Sequence, residues 1–493
     1  MRARGSLDVL VVGAGVGGLS AAWWLAAQGV DDWLVCEMGA APGGNAQAAR
    51  NAVSEFPLGA HYLPLPTRES VTLRRLLAEL GAIEGDPYVA RPRYAETLLC
   101  AAPLERLFRF GQWQDGIIPD AGLTRSERAQ MQRFLALMGE FKQNRGGGKG
   151  FCLPMGQSVR DADLLALDGL TFAAWLAKQG FDAAPLLWYA DYACRDDYGA
   201  GLHEVSAWAG IHYFASRDGE AEASADDVVL TTPGGNGWLT AGLARLAGDR
   251  IRTDRAVRRV SKEKHGWRVE VEDSRTGSLD VYDAKSVIWA APLFIAPRVI
   301  EGLPDAAQDH ARSIDYAPWV MAQLSIARSP REAPGVPRAW DNVIYGSRSL
   351  GFVDASHQAL SAAQAPTVWT WYHALTGAPT PALRRRLLEL GREHWARMAL
   401  AELAPAYPDL IDSVERIDCV RYGHAMAKPL PGFLTARGRH WFAQGDGLLQ
   451  FAHADVSGFS VFEEAHARGV AAAERIAARL KQRQPDRLLI YTF

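Results

Sequence analysis

An uncharged stretch near the amino terminus changes from a strand-like to a helix-like pattern partway along its length. Val9–Val12 is an unbroken aliphatic run, which is typical of a parallel strand buried on both faces. After a glycine-rich turn, the apolar positions from Val16 onward have helical spacing. A second apolar run, Trp33–Cys36, predicts the next strand, so we expect the chain to open with a βαβ unit. The stretch Val9–Val30 would also suit a membrane span or a signal peptide, but its glycines favour strand, turn and helix.

The glycines of this turn have the spacing of a dinucleotide-binding motif. Gly13, Gly15 and Gly18 form G-x-G-x-x-G between the strand and the helix. The first allows the turn, the second lets the backbone approach a pyrophosphate, and the third allows the helix to pack closely on the strand. Glu37 follows the second strand, 19 positions after Gly18, where a carboxylate can accept hydrogen bonds from ribose hydroxyls. Together these residues predict a dinucleotide site, although the glycine motif alone would also fit an ordinary turn.

The sequence around these residues, GAGVGG and then CEMGAAPGGN, resembles the FAD-binding fingerprint of the flavin amine oxidase, protoporphyrinogen oxidase and phytoene desaturase superfamily. The resemblance implies that the dinucleotide is FAD and that Gly43 and Gly44 let the chain pass close to its ribityl and phosphate groups. Asn45 stands where most amine oxidases have arginine. With Gly59 and His61 of the following GAH tripeptide, it is also similar to UDP-galactopyranose mutases and carotenoid isomerases. The chain lacks the C-terminal cysteine motif that tethers flavin in monoamine oxidases, so FAD is expected to be noncovalent.

Two later segments extend the resemblance. PGGNGWLTAGLARL and the alternating strands after it resemble the second FAD segment, in which Val257 would face the adenine. The last segment, from HWFAQGDGLLQ onward, resembles a closing motif of strand, acidic residue and long helix. It implies that Gly445 and Asp446 follow a strand and bind the ribityl chain. It also implies that a helix from about Ser460, with Val461 at its start, directs its positive N-terminal dipole at the flavin.

The remaining pattern fits two interleaved domains better than three in tandem. The expected fold class is α/β, with a Rossmann-type FAD-binding domain interleaved with a mixed α+β substrate domain. Of the stretches between the FAD segments, the first is mostly helical in pattern and the second mixes strands such as TVWTWYH with helices. The predicted order is FAD-binding 1–65, substrate 66–229, FAD-binding 230–295, substrate 296–437, FAD-binding 438–482 and a C-terminal tail 483–493.

Candidate catalytic residues are those that the resemblance or the pattern brings near the flavin ring. His61 would act as a base, a ring contact or a substrate contact, or else as a hydrogen-bonded structural histidine. On the strand VWTWYH, Trp371 and His373 share one face and Tyr372 the other, so one face forms either a substrate wall or core packing. By resemblance, Lys428 is a counterpart of the lysine that holds a water at flavin N5 in amine oxidases.

The stretch WYADYACRDDY combines aromatic and acidic residues. Asp196 and Asp197 beside aromatic rings would suit a cationic amine. The alternative is a helix-capping turn in which Arg195 neutralises one of the two aspartates.

Composition excludes several classes of protein. The 493 residues carry a formal net charge of −3 without long runs of one sign, so neither nucleic acid nor an acidic membrane surface is indicated as a partner. The five cysteines are scattered without a CxxC pair, which argues against a disulfide framework and against a metal site. We expect a cytoplasmic protein, unless an export signal precedes this sequence, and find no firm membrane signal.

The expected function is that of an FAD-dependent oxidoreductase. A hydride would pass from a small organic substrate, with an amine as first choice, to flavin N5, and oxygen or a quinone would be the electron acceptor. Two alternatives stay open: a desaturase or isomerase of isoprenoids or carotenoids, and a redox-inert relative of the GDP-dissociation inhibitors, which share the fold without binding flavin.

Overall fold

The computed structural model describes residues 2–145, 147–222, 228–358 and 366–483. Its strands, in chain order, are β1 (Arg2–Val12), β2 (Trp33–Cys36), β3 (Ala48–Arg50), β4 (Glu55–Pro57), β5 (Leu63–Pro64), β6 (Ile83–Glu84), β7 (Arg93–Tyr94), β8 (Glu105–Arg109), β9 (Gln112–Asp115), β10 (Asn144–Arg145), β11 (Gly148–Lys149), β12 (Val229–Leu230), β13 (Ile251–Arg252), β14 (Arg255–Glu263), β15 (Gly266–Asp273), β16 (Leu279–Trp289), β17 (Tyr316–Ile326), β18 (Asp341–Ile344), β19 (Phe352–Asp354), β20 (Thr367–Ala374), β21 (Val414–Ala427) and β22 (Leu449–Phe451). Its α-helices are α1 (Val16–Ala27), α2 (Val71–Glu79), α3 (Arg125–Lys142), α4 (Ala162–Ala166), α5 (Phe172–Lys178), α6 (Ala184–Tyr198), α7 (Ala207–Ala215), α8 (Gly237–Ala247), α9 (Ala296–Val299), α10 (Asp305–Ser313), α11 (Thr380–Glu389), α12 (Arg392–Leu403), α13 (Arg437–Gln444) and α14 (Phe462–Arg483). The expected C-terminal tail, 483–493, lies outside the described residues apart from Arg483.

Strands from three separate parts of the chain form the first sheet. It has 7 strands in the order β13-β2-β1-β16-β15-β14, with β22 beside β16. Strand β1 is parallel to β2 and β16, and β22 is parallel to β16, whereas β14, β15 and β16 pair antiparallel. The parallel strands therefore end at one edge of the sheet. The prediction of an α/β fold with an interleaved Rossmann-type domain is confirmed.

Helices α1 and α14 cover one face of this sheet. Val9 and Val11 point into the core shared with these helices, whereas Leu10 points into the core on the opposite face. All three are fully buried, and burial of each side chain stabilises the fold by about 1.5–3 kcal/mol. The two helices can approach closely because Gly469 has no side chain. A Cβ at this position would lie only 2.2 Å from the carbonyl oxygen of Gly17, so a larger residue would push the helices apart.

A second sheet of 7 strands has the order β21-β17-β20-β19-β18-β8-β9, with strands from both stretches between the FAD segments. The side chains of strand β20 alternate between the two faces of this sheet, as predicted. Trp369 and Trp371 pack with Trp395 of α12 in a core on one side. Tyr372 packs on the other side, in the core that includes α6 and α7. The side chains that line the site described below lie on the face of β20 that carries Tyr372.

The strand predicted before Gly445 is wrong. This segment is helix α13, and β22 comes after Asp446. Within α13, the Phe442 ring lies 4.7 Å from the Phe451 ring of β22, and Trp441 lies 5.5 Å from it. The local sequence pattern did not predict this helix, because most of the stability of a helix comes from tertiary packing, here against Phe451 of β22.

Candidate functional site

A large cavity opens where the parallel strands of the first sheet end. Its volume is about 710 Å³, and its wall includes the glycine turn at Gly13, Glu37, Gly44, Val257 and Trp289. Open sheets with parallel strands bind their ligands at this edge. The volume lies within the range of roughly 300–1,000 Å³ that is usual for ligand and cofactor sites.

The glycine turn presents bare backbone to the large cavity. Gly13 has φ +97°, a conformation that favours glycine, and its N–H donates to the carbonyl of Cys36 at 2.8 Å. Gly15 precedes the first turn of α1 and lines the cavity. A Cβ on Gly15 would have no protein atom within 4 Å, so the space beside it belongs to the cavity. The first amides of α1 thus stand where a pyrophosphate can reach them.

Backbone amides hold both oxygens of the Glu37 carboxylate. Oε2 accepts a hydrogen bond from the N–H of Ala14, and Oε1 accepts one from the N–H of Gly39, each at 2.7 Å. An ionised carboxylate keeps further lone pairs, which remain for hydroxyl donors of a ligand. Arg255 lies on the same wall, but it forms an ion pair with Asp273 at 2.8 Å. It therefore does not neutralise the negative charge of Glu37.

Asp455 also lines the large cavity and lies just beyond the carboxyl end of β22. Its Oδ2 accepts hydrogen bonds from the N–H of Leu293 at 2.9 Å and from the hydroxyl of Tyr316 at 2.5 Å. Burial raises the pKa of Asp455, but nearby His453 and the hydrogen bonds outweigh it and hold the pKa below its ordinary value. This carboxylate therefore stays ionised and ties the first sheet to β17 of the second.

A small cavity of about 140 Å³ adjoins the large one. The residues common to both walls are Asn45, Ala60, Ala425, Ser460, Val461 and Phe462. Asn45 fixes part of this boundary, because its Nδ2 donates to the carbonyl of Ala425 at 2.7 Å. Helix α14 begins at the same boundary, so its positive N-terminal end faces any planar group held there.

Aromatic rings form much of the wall of the small cavity. The ring of His61 lies 4.4 Å from that of Tyr372 and 5.0 Å from that of Tyr62, and Trp319 and Tyr422 belong to the same wall. Burial lowers the pKa of His61 to about 4, so its imidazole is neutral at neutral pH. His61 is therefore a flat, uncharged contact for whatever the cavity holds.

The polar part of the small cavity contains Asp196, Asp197, Glu463 and Arg217. Nη2 of Arg217 donates to both oxygens of Asp197, at 2.7 and 2.6 Å. Asp196 accepts a hydrogen bond from the hydroxyl of Tyr62 at 3.2 Å. One guanidinium thus neutralises one of three carboxyl groups.

Burial raises the pKa of the two carboxyl groups that Arg217 does not bind. Burial, and secondly the neighbouring Asp197, raise the pKa of Asp196. Burial likewise raises the pKa of Glu463 to about 7. Arg195, expected to neutralise one aspartate of the pair, instead pairs with Asp191 at 2.9 Å, so that alternative is wrong. Carboxyl groups whose pKa is raised by burial in a cleft are candidate functional groups.

Most predicted cofactor residues lie at these two cavities. The large cavity is lined by Gly13, Gly15, Glu37, Gly43, Gly44, Asn45, Val257 and Val461, and the small one by Gly59, Asn45 and Val461. Gly18 lines neither, because it packs beneath the turn, where its Cβ would lie 1.9 Å from the carbonyl oxygen of Gly13. This is the close helix–strand packing expected of the third glycine.

The structure does not bring Gly445 and Asp446 to either cavity. Asp446 exchanges two backbone hydrogen bonds of 2.9 Å with Leu449, which makes a turn before β22. The turn lies at the amino end of β22, whereas the large cavity lies at the carboxyl ends of the parallel strands. The acid that lines the large cavity beyond the carboxyl end of β22 is Asp455, which was not among the predicted residues. The apolar run before it, LLQFA, is the signal that would have found it.

Two predicted catalytic residues lie on the far face of β20. Trp371 is fully buried in the core under α12, and His373 stacks on it with ring centroids 5.4 Å apart. Nδ1 of His373 lies 3.3 Å from the carbonyl oxygen of Arg348. Of the two interpretations of this strand, core packing describes Trp371, and Tyr372 is the residue that lines the small cavity.

Lys428 lines neither cavity. Its Nζ lies 3.0 Å from Oε1 of Glu204 and 3.0 Å from Oδ2 of Asp315, and it donates to Oγ1 of Thr380 at 2.8 Å. Its side chain is only 1% exposed, so these bonds hold the ammonium group in place. Lys428, just after β21, thus connects the residue before β17, the first residue of α11 and the segment before α7.

Sequence reasoning also missed Tyr62, Arg217, Trp319, Tyr422 and Glu463, which come to the small cavity from distant parts of the chain. No local motif marks Arg217 or Trp319. In the part of the chain that the structure describes, no three His, Cys, Asp or Glu side chains are grouped as a metal site would require. The same residues contain no helix long and apolar enough to cross a bilayer.

Comparison with known proteins gives one match by sequence family and many by structure. The family model described as flavin-containing amine oxidoreductase matches residues 16–477. No curated protein matches the sequence.

Among solved structures, putrescine oxidase bound to putrescine is 17% identical with a TM-score of 0.66, over 97% of this chain and 100% of that one. Cyclohexylamine oxidase from Brevibacterium oxydans is 17% identical with a TM-score of 0.68, over 97% and 100% of the two chains. A fatty acid isomerase from P. acnes is 14% identical with a TM-score of 0.65, over 95% and 98%. At identities this low, the likeness to these structures shows only that the fold is shared.

Proposed function

The chain belongs to the family of flavin-containing amine oxidoreductases, and we propose that it oxidises a small amine held in the small cavity. It is an FAD-dependent oxidoreductase. The proposal concerns the substrate, the residues that bind it and the electron acceptor, which we take to be oxygen or a quinone.

The residues of the large cavity fit FAD. The space beside Gly15 admits a pyrophosphate, Glu37 has lone pairs for ribose hydroxyls, and Val257 offers an apolar wall. Bound FAD supplies a hydride acceptor at N5 of its ring system. Cys36 also lines the cavity, but burial raises its pKa to about 12, and a protonated thiol is a poor nucleophile. This supports noncovalent FAD.

The observation that carries the proposal is the small cavity at the end of the large one. Aromatic rings and carboxyl groups share its walls, and it meets the large cavity where α14 begins. Aromatic faces and carboxylates are the groups that bind an alkylammonium ion. A cation bound here would also satisfy carboxyl groups that are costly to bury without a partner.

The proposed roles follow from these contacts. Asp196 binds the ammonium group, with the hydroxyl of Tyr62 orienting its carboxylate. Tyr372 and neutral His61 hold the carbon skeleton flat against them. Only the neutral amine has a lone pair to assist loss of hydride from the adjacent carbon, so a carboxylate of the cavity takes up the ammonium proton.

The other functions considered receive less support. An isoprenoid desaturase or isomerase needs room for a long apolar chain, whereas this cavity is small and acidic. The fatty acid isomerase shares the fold, and a fold serves many chemistries. Membership of a flavin-containing family argues against a redox-inert relative.

Anaerobic flavin bleaching tests the proposal. The purified yellow protein is mixed without oxygen with primary amines, amino acids and isoprenoids, and flavin absorbance is followed. We expect bleaching by small amines alone, and a KM about 10- to 100-fold higher for Asp196→Asn with unchanged flavin content. Asp309→Asn, on the exposed face of α10, is the matched control. Bleaching by isoprenoids and not by amines would refute the proposal. Once an amine has reduced the flavin, adding oxygen or a quinone and following the return of flavin absorbance identifies the electron acceptor.

A further inference from the structure

Three arginine side chains outside both cavities have no acidic partner. Arg160 lies just before α4, Arg439 lies in α13 and Arg468 lies in α14. Among the residues that the structure describes, none of the three forms an ion pair with a carboxylate. None of them lines the large or the small cavity. Their positive charge is therefore not explained by the sites for FAD and substrate.

Arg439 is the most deeply buried of the three, with 2% of its surface exposed. Its Nη1 donates to the carbonyl oxygen of Leu434 at 3.2 Å, and its Nη2 donates to Sδ of Met155 at 3.4 Å. Its Nε is buried too and has no hydrogen-bond partner in the described part of the chain. Both acceptors are neutral, so they do not balance the charge of the guanidinium group. A buried charge without a counter-charge is costly, which favours an anion from outside.

One series of contacts joins Arg439 to Arg468. Met155, whose sulfur contacts Arg439, donates its backbone N–H to Oε1 of Glu464. Oε2 of Glu464 accepts a hydrogen bond from the hydroxyl of Ser457 at 2.5 Å, and the same hydroxyl oxygen accepts one from Nε of Arg468 at 2.8 Å. Glu464 thus uses both of its oxygens for neutral donors. Within the described ranges no acceptor binds the two terminal nitrogens of Arg468, so these N–H groups are free for a ligand.

The positive charges in this region outnumber the negative ones. Burial, and secondly the charges of Arg468 and Arg160, lower the pKa of Arg439 to about 10, so it still carries its proton at neutral pH. Burial also lowers the pKa of Arg468, and Arg160 contributes to this shift. Two buried acids oppose these shifts: Glu464 acts on both arginines, and Asp168 acts on Arg439. Three guanidinium groups therefore face two carboxyl groups.

We infer that these arginines form a binding site for a small oxyanion of the phosphate type, which Arg160 and Arg468 contact while Arg439 supplies charge from beneath. The planar fork of N–H groups on a guanidinium matches the oxygens of a phosphate group. Arg160 is exposed and Arg468 is partly exposed, so an anion can reach them from solvent. The depth of Arg439 favours a small ion over a macromolecular surface, because a buried charge acts on a group that sits close to it. The inference does not depend on which substrate the enzyme oxidises.

Isothermal titration calorimetry with inorganic phosphate tests the inference at constant ionic strength in chloride buffer. The FAD-loaded enzyme is used, so that the backbone amides beside Gly15 are not open to the added phosphate. We expect one phosphate ion to bind per chain with a Kd of about 1 mM or lower. The absence of saturable binding up to about tenfold above that concentration would overturn the inference. A parallel titration with glycerol 3-phosphate identifies the source of the anion: tighter binding of the ester indicates a phosphate monoester, and tighter binding of phosphate indicates the free ion.

Two exposed-side variants assign the contacts. Arg160→Gln and Arg468→Gln should each raise the Kd for phosphate about 10-fold or more, because each removes a charged donor. Arg312→Gln, on the exposed face of α10, is the matched control and should leave the Kd unchanged. An unchanged Kd in both Arg160→Gln and Arg468→Gln would overturn the inference, because phosphate would then bind elsewhere.

Replacement of the buried arginine distinguishes a binding role from a structural one. Replacing a buried charge that has no partner by an apolar side chain of similar length is often neutral or stabilising. Arg439→Met should therefore keep or raise the Tm in phosphate-free buffer, and phosphate should no longer raise it as it does for the unmodified enzyme. A lower Tm that phosphate still raises to the same extent would show that Arg439 only supports the fold. The titration of the unmodified enzyme decides the inference even if a variant fails to fold.

Discussion

Replacement of Glu37 by glutamine tests the physical basis of cofactor binding with the smallest change in shape. In the structure, each carboxylate oxygen accepts one backbone N–H at 2.7 Å, from Ala14 and from Gly39. Glutamine has only one acceptor oxygen. Its amide nitrogen must therefore face one of these N–H groups, and it can no longer accept from a ribose hydroxyl on that side.

The expected loss follows from the bonds that change. Hydrogen bonds to a charged group contribute about 1.5–3 kcal/mol each, whereas bonds between neutral groups contribute about 0.5–1.5 kcal/mol. Losing one ribose bond and weakening the second therefore costs about 2–4 kcal/mol of FAD binding. At about 1.4 kcal/mol for each tenfold change, Kd for FAD should rise about 30- to 1,000-fold.

The assay is titration of apoprotein with FAD, followed by quenching of flavin fluorescence. Glu393→Gln, whose side chain is 83% exposed, serves as the matched control and should bind FAD normally. A Kd for Glu37→Gln within about threefold of that of the unmodified protein would refute the reasoning, because the carboxylate would then not hold the ribose. A rise in Kd together with a collapsed unfolding curve would instead assign Glu37 a purely structural role.

Three further predictions concern other parts of the chain. Gly17→Ala places a Cβ 1.8 Å from the carbonyl oxygen of Ala452 and should lower the free energy of unfolding by about 1–3 kcal/mol or more in urea titration. Gly15→Ala, with open space at that position, should leave stability unchanged and weaken FAD binding; equal stability losses for both would contradict this account. Lys428→Met should lower the unfolding free energy by about 1–3 kcal/mol without changing kcat, since its acid partners are about one third exposed, whereas a fall in kcat at normal stability would give it a role in chemistry. Because burial raises the pKa of Glu463 to about 7, kcat/KM for a small amine should rise as pH increases through about 7, and Glu463→Gln should remove this step.

Local signals in the first residues of the chain predict a glycine turn and a following acid, which the structure places on the wall of one cavity. The strand, the turn and the helix that carry Gly13 and Gly15 form from contiguous residues, and Glu37 ends the next strand. Each of these positions is specified by a backbone requirement, such as the positive φ of Gly13, that a sequence displays directly. Strand alternation on β20 was also readable, because side chains alternate faces regardless of what they pack against.

The sequence did not predict which face of β20 lines the small cavity, nor which acid near β22 lines the large one. Trp371 and Tyr372 are equally apolar in pattern, and only the packing of α12 on one side and α6 on the other distinguishes them. Asp446 and Asp455 both lie near β22, and the direction of that strand within the parallel sheet decides which one reaches the cavity.

The sequence by itself thus determined the dinucleotide fold and the residues that build its glycine turn, because these depend on backbone geometry within a few neighbouring positions. Only the tertiary structure decided which residues line the small cavity. Asp196 lies in α6, Arg217 follows α7, and Glu463 lies at the start of α14. Their charges interact only because folding brings them together at one small cavity. The physical reason is that burial and electrostatic pairing depend on distances through space, which the order of residues along the chain does not record.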